Sequence, residues 1–158
     1  MRVEIVKRAD GGGVLRCTRA DGSVTWQKQG RHAAHFALHD LTHFAVESTL
    51  GFRQAFFGLI AAGWDIEDTT GKGARGSLPN EALEAERIVG LLDSERASGA
   101  IMTDEEVRDY YAVHGEPLRA LSDQDLQRIR TRRSELFAEW RALPAGEAIE
   151  LQFSVNAS

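Results

Sequence analysis

Residues 31–47 read Arg31-His-Ala-Ala-His-Phe-Ala-Leu-His-Asp-Leu-Thr-His-Phe-Ala-Val-Glu47. Four of the five histidines of the chain lie in this stretch, at intervals of three, four and four residues: His32, His35, His39 and His43. Glu47 follows at a further interval of four. Side chains at such intervals lie on one face of an α-helix. The spacing therefore predicts a helix with a row of imidazoles along one side.

Both ends of the chain have the alternating pattern of β-strands. Three alternating segments within residues 2–28, separated by turns at 9–13 and 20–23, predict an antiparallel meander. Residues 147–155 alternate as well and are expected to return and pair with this sheet. The apolar face of that last strand would hold four residues: Ile149, Leu151, Phe153 and Val155.

The segments between the strands are predicted to be helical. The histidine helix should end near Gly51, and a capping box at Thr103-Asp-Glu-Glu106 should begin a helix. Further helices are expected over 52–62, over 80–97 and after Ser122. The predicted fold class is α+β, with a small antiparallel sheet (an N-terminal three-stranded meander plus a C-terminal strand) packed against about five helices. Residues 1–158 are expected to form a single domain.

The composition favours some classes of partner and excludes others. The formal net charge is -5 and the pI is near 5.5, so we expect no general electrostatic binding to nucleic acid. The longest apolar run, residues 55–64, is about half of the roughly 20 residues that a membrane span needs, so no membrane association is expected. A single cysteine, Cys17, excludes an internal disulfide and fits a reducing cytoplasm.

The row of histidines is the pattern most typical of a metal site, with zinc the most suitable ion. A rise of about 1.5 Å per residue puts His39 and His43 about 6 Å apart along the helix axis, which suits two ligands of one ion. One ion can bind to one of three pairs: His39 with His43, His35 with His39, or His43 with Glu47. The first pair is favoured because Asp40 lies beside it.

The string His39-Asp-Leu-Thr-His43 resembles the zincin signature, in which two histidines at i and i+4 hold zinc and a glutamate after the first is the general base. The resemblance implies zinc on His39 and His43 and a catalytic role for Asp40, which is one methylene shorter than the glutamate of zincins. The string also resembles the accessory proteins of ubiquinone biosynthesis, where a glutamate follows after eleven residues. Ala55 stands at that position here. As a whole, the chain resembles a bacterial protein family.

A catalytic zinc ion usually has a third protein ligand and one open position. The helix over 80–97 offers carboxylates, and its apolar residues define one buried side: Leu83, Ile88, Val89, Leu91 and Leu92. At about 100° per residue, Glu81 and Glu84 lie on or beside that side, whereas Glu86 and Asp93 point away. A carboxylate on an apolar face is costly unless it is paired or metal-bound, so Glu84 is the stronger candidate and His114 the other.

Structural roles for the same residues remain open. Asp40 could be the N-cap of a helix that begins after it, which would leave His39 outside that helix. Glu47 could be an exposed residue or a partner of Arg53, and His32 is expected to be structural.

Two functions follow from these alternatives. The first is a metal-dependent hydrolase-like protein with a small-molecule or peptide substrate. The second is a non-catalytic α+β interaction module whose histidine helix packs against the sheet. The sequence leaves the substrate and the oligomeric state open.

Overall fold

The computed structural model describes residues 1–30, 33–118 and 121–154. Two residues with sequence-based predictions, His32 and Val155, lie outside these ranges. The described part consists of one four-stranded antiparallel sheet and five α-helices, which confirms the predicted α+β class.

The predicted meander forms three of the four strands of the sheet, whose order is β3-β2-β1-β4. Its strands are β1 (Arg2–Lys7), β2 (Gly13–Thr18), β3 (Val24–Lys28) and β4 (Ala148–Gln152). Alternate residues face the helices and are buried: Val3, Ile5, Leu15, Cys17, Ile149 and Leu151. The C-terminal strand pairs with β1, as expected, and backbone hydrogen bonds between Met1 and Phe153 continue this pairing at its end.

The helices are α1 (Ala33–Leu50), α2 (Phe56–Ala61), α3 (Asn80–Ser98), α4 (Asp104–His114) and α5 (Asp123–Ala142), with a 3₁₀ turn at Ile66–Thr70. Gly51 has a φ of 69° after the end of α1, and the capping box at Thr103 begins α4, both as predicted. None of the helices in the described ranges is both long enough and apolar enough to cross a membrane.

The second helix begins later than the predicted range of 52–62. The amide of Phe52 bonds to the carbonyl of Glu47 and closes the end of α1. The next two amides, of Arg53 and Gln54, donate to the Glu81 carboxylate at 2.7 and 3.1 Å. Because these amides are held by a side chain of α3, the chain stays non-helical until Phe56.

The first long helix, α1, lies at the centre of the fold. It packs against α5, α3, α2 and β2, and five of its apolar residues are buried: Ala37, Leu41, Phe44, Ala45 and Val46. A helix enclosed on several sides has little freedom to rotate about its axis, because a rotation would carry these side chains out of the core. This packing fixes the direction in which the histidine row points.

The tight junction before α2 leads to a prediction for Gly58. A Cβ at this position would overlap the backbone carbonyl of Arg53. We expect Gly58→Ala to lower the free energy of unfolding by about 1–3 kcal/mol, because backbone cannot move aside as a flexible side chain can. Gly30→Ala is the control, since a Cβ there would meet no atom within 4 Å and should change stability by less than about 0.5 kcal/mol. Urea unfolding measures both, and equal stability of the two variants would contradict the prediction.

Candidate metal centre

The histidine face of α1 lies against two carboxylates of α3. His39 Nδ1 is 2.7 Å from Asp93 Oδ2, and His43 Nε2 is 3.4 Å from Glu86 Oε1. The later histidine pairs with the earlier carboxylate, so the two helices run antiparallel here. The rings of His39 and His43 are neighbours, with centroids 4.8 Å apart.

Among the residues that the structure describes, two overlapping groups of side chains could hold a metal ion. One ligand atom from each of His39, His43 and Glu86 lies within 4.8 Å of the others, and the same holds for His35, His39 and Asp93. The sequence-based pair of His39 with His43 is therefore brought together, and so is the pair of His35 with His39.

A guanidinium group makes the second of these groups less suitable for a cation. Arg96 donates to His35 Nδ1 at 2.7 Å and to Asp93 Oδ1 at 3.2 Å. These bonds occupy a lone pair of His35 and neutralise part of the charge of Asp93. Within the described part of the chain, no arginine or lysine side chain contacts the group of His39, His43 and Glu86, which is therefore the better candidate.

Glu47 is fully buried, so the alternative that it is an exposed helix residue is wrong. Its Oε2 accepts hydrogen bonds from the amides of Phe57 and Gly58 at 2.9 and 3.1 Å. Its Oε1 lies 3.4 Å from His43 Nδ1, and neither of these two buried atoms has a hydrogen-bond partner within the described ranges. Glu47 thus faces the nitrogen of His43 that points away from Glu86.

The charges of the cluster shift the pKa values of its members. Burial lowers the pKa of His43, but the carboxylates of Glu47 and Glu86 outweigh it and raise that pKa to about 10. Burial likewise opposes ionisation of Glu86 and Asp93, yet His43 lowers the pKa of Glu86 and His39 lowers that of Asp93. For Glu47, burial raises the pKa. At neutral pH, in the absence of a metal ion, His43 is therefore an imidazolium.

Asp40 lies on another side of α1. The helix begins at Ala33, so Asp40 is inside it, and the alternative in which this residue is the N-cap is wrong. Asp40 is buried and its Oδ2 accepts a hydrogen bond from the side-chain amide of Gln29, next to the sheet. Burial raises its pKa to about 6, against the opposite effect of His43 and His39. Its hydrogen bond holds the carboxylate against Gln29, and Asp40 belongs to neither ligand group.

Glu84 also lies away from the histidines, although it is buried as predicted. Its Oε2 accepts from the amide of Leu118 at 2.9 Å and is 3.6 Å from Arg87. The remaining candidate, His114, stacks on Tyr110 with ring centroids 4.2 Å apart and belongs to neither ligand group.

The sequence-based projection of α3 was wrong in assuming one buried side. Leu83, placed on that side, is 43% exposed, whereas Glu86 and Asp93, projected away from it, face α1. The helix is covered by α1 on one flank and by α4 on another, so its apolar residues do not mark a single direction. The seven-residue interval between Glu86 and Asp93, two helical turns, is the sequence signal that could have paired them.

Comparisons of the chain with protein-family models, with curated proteins and with solved structures gave no match in any of the three. The function must therefore be inferred from the geometry of the centre.

The pKa of His43 predicts how stability depends on pH. The folded-state value of about 10 lies above the unfolded value of about 6.5, so the ion pairs of His43 stabilise the fold fully below pH ~6.5. This contribution is lost as the pH rises towards 10. We expect the free energy of unfolding to fall by on the order of 2 kcal/mol between pH 6.5 and 9, measured by urea unfolding with a chelator present.

Two variants test whether His43 causes this fall. Glu86→Gln removes one of the two carboxylates from a half-exposed position and should make the dependence shallower. His43→Gln should remove the pH dependence of the free energy of unfolding. A fall of equal size in all three proteins would assign it to other groups and contradict the prediction.

Proposed function

We propose that the protein binds one divalent metal ion, with zinc as the most suitable, through His39, His43 and Glu86. Two imidazoles and one carboxylate are a ligand set that catalytic zinc sites use, and such sites keep a fourth position open for water or substrate. The observation that carries the proposal is the proximity of the three ligand atoms, which lie within 4.8 Å of one another on two different helices.

Carboxylates behind the histidines support this assignment. Histidine ligands commonly donate their second ring N–H to a carboxylate, which fixes the ring and makes the other nitrogen a better ligand. Asp93 accepts from His39 Nδ1 at 2.7 Å, and Glu47 lies 3.4 Å from His43 Nδ1. Both histidines therefore keep Nε2 for the ion.

The exposure of the ligands favours an accessible centre over a closed structural one. The side chain of His43 is 3% exposed, whereas those of His39 and Glu86 are 30% and 53% exposed. A small molecule or a peptide group can approach from the side of Glu86. An ion at this place would lower the pKa of a bound water and polarise a substrate carbonyl or phosphoryl group, which makes a hydrolase-like reaction the proposed activity.

The proposal differs from the sequence-based one in its third metal ligand and in the role of Asp40. Glu86 replaces Glu84, and Asp40 is assigned a structural role at the junction of α1 with the sheet. Glu47 positions His43 and is not a ligand. We place the protein in a reducing cytoplasm, which is in keeping with its single cysteine, Cys17. Burial raises the pKa of the Cys17 thiol to about 12.

The second candidate function is that of a non-catalytic interaction module without a metal. His43 lies between two carboxylates, each 3.4 Å away, and His39 has a complete hydrogen bond to Asp93. These pairs can hold α1 against α3 by themselves when His43 carries a proton. In that case the centre is a structural ion-pair network.

Metal analysis of tag-free protein distinguishes the two functions. We expect about one equivalent of zinc per chain in the wild type after equilibration and gel filtration, and none in a variant with His39→Ala and His43→Ala. Glu86→Gln should weaken zinc binding by about tenfold or more, because it removes the charged ligand.

Glu84→Gln is the matched control. It changes another glutamate of α3, which contacts Leu118 and Arg87, and it should retain the zinc. Loss of zinc in Glu84→Gln but not in Glu86→Gln would favour the sequence-based ligand set. A folded wild type that takes up no zinc, manganese, nickel or iron would overturn the metal proposal and favour the interaction module.

A further inference from the structure

We propose that the hydroxyl of Tyr110 completes the centre by donating a hydrogen bond to an anionic oxygen that occupies the open position of the metal ion. This inference rests on the proposed metal site of His39, His43 and Glu86. It adds a residue from a third helix, α4, and it defines the ligand class as an oxyanion.

The first observation is the close approach of Tyr110 to α3. Its hydroxyl oxygen lies against Gly90, and a Cβ at position 90 would overlap that oxygen. Glycine inside a helix costs about 1 kcal/mol relative to alanine. Here it leaves a notch into which the phenol fits.

The position of this notch relates Tyr110 to the metal ligands. Gly90 lies four residues after Glu86 and three before Asp93, so it is about 6 Å and about 4.5 Å from them along the helix axis. Around the axis it is displaced by about 40° from Glu86. The hydroxyl therefore lies at the level of the centre, between its two carboxylate positions.

Tyr110 and the histidines contact the Glu86, Gly90 and Asp93 positions of α3 from two different helices. His39 and His43 reach Asp93 and Glu86 from α1, whereas Tyr110 reaches Gly90 from α4. Because Glu86 is half-exposed and Gly90 is only about 40° from it around α3, an oxyanion bound beside Glu86 is expected to contact both the ion and the phenol.

The state of Tyr110 suits a hydrogen-bond donor. Its ring stacks on His114 at 4.2 Å and makes an edge contact with Tyr111 at 5.9 Å, which holds the phenol in place. Burial, and then the negative charge of Asp93, raise its pKa, so the hydroxyl keeps its proton at neutral pH. No residue in the described ranges forms a hydrogen bond with this hydroxyl.

Phosphate binding to the cobalt(II)-loaded protein tests the inference. Cobalt(II) takes the place of zinc and reports binding of inorganic phosphate through its visible spectrum. We expect Tyr110→Phe, which keeps the ring and its stacking on His114, to raise the dissociation constant for phosphate about tenfold with unchanged metal content. Gly90→Ala, whose methyl group displaces the hydroxyl, should have an effect in the same direction.

Tyr111→Phe is the matched control. It removes the hydroxyl of the adjacent tyrosine, whose pKa is raised by burial and then by the charge of Glu84. Glu84 belongs to neither ligand group, so phosphate affinity should not change. Equal phosphate affinity in the wild type and Tyr110→Phe, at equal metal content, would overturn the inference and leave the metal site intact. The absence of bound metal in the wild type would overturn the proposed function and this inference together.

Discussion

The buried carboxylate of Glu47 is the constraint on which the rest of the centre depends. An ionised carboxylate removed from water costs several kcal/mol unless other groups compensate it. Here the compensation comes from two amides at the start of α2 and from the imidazole of His43. The same group therefore ties the end of α1 to α2 and sets the orientation of a histidine. Because Glu47 occupies the Nδ1 side of His43, the Nε2 side is turned to α3.

The seam between α1 and α3 extends this arrangement by alternating basic and acidic groups. His43 meets Glu86, His39 meets Asp93, and Arg96 joins Asp93 to His35 at the other end. A proton and a metal ion are alternatives at His43 Nε2, since both satisfy the same lone pair next to Glu86. The geometry consequently suits both candidate functions, and they differ only in which cation the seam holds. Arg96 supplies a permanent positive charge at the Asp93 end of the seam. The position beside Glu86 is thereby left for an exchangeable cation, either a proton or a metal ion.

Local patterns were sufficient for most of the fold. Alternation along residues 2–28 and 147–155 predicted the four strands, because a period of two marks a sheet with one covered face. Capping residues such as Thr103 and the glycine after α1 predicted helix ends through their own local hydrogen bonds or backbone angles. The start of α2 escaped this reasoning, since the carboxylate that holds the preceding amides, Glu81, comes from a helix distant in sequence.

For the centre, the sequence by itself determined that His35, His39 and His43 share one side of a helix and that His39 can pair with His43, because the period of a helix is intrinsic to its backbone. It did not determine which carboxylate would join them. Glu84 and Glu86 are two residues apart on α3, and their directions differ by about 200°, so the choice depends on how the helix is rotated about its axis. That rotation was decided by the packing of α1 on one flank and α4 on the other, which turned Glu84 towards Leu118 and Glu86 towards His43. Only the tertiary structure contains that information, because the rotation minimises the exposed apolar surface of the whole core and not that of one helix.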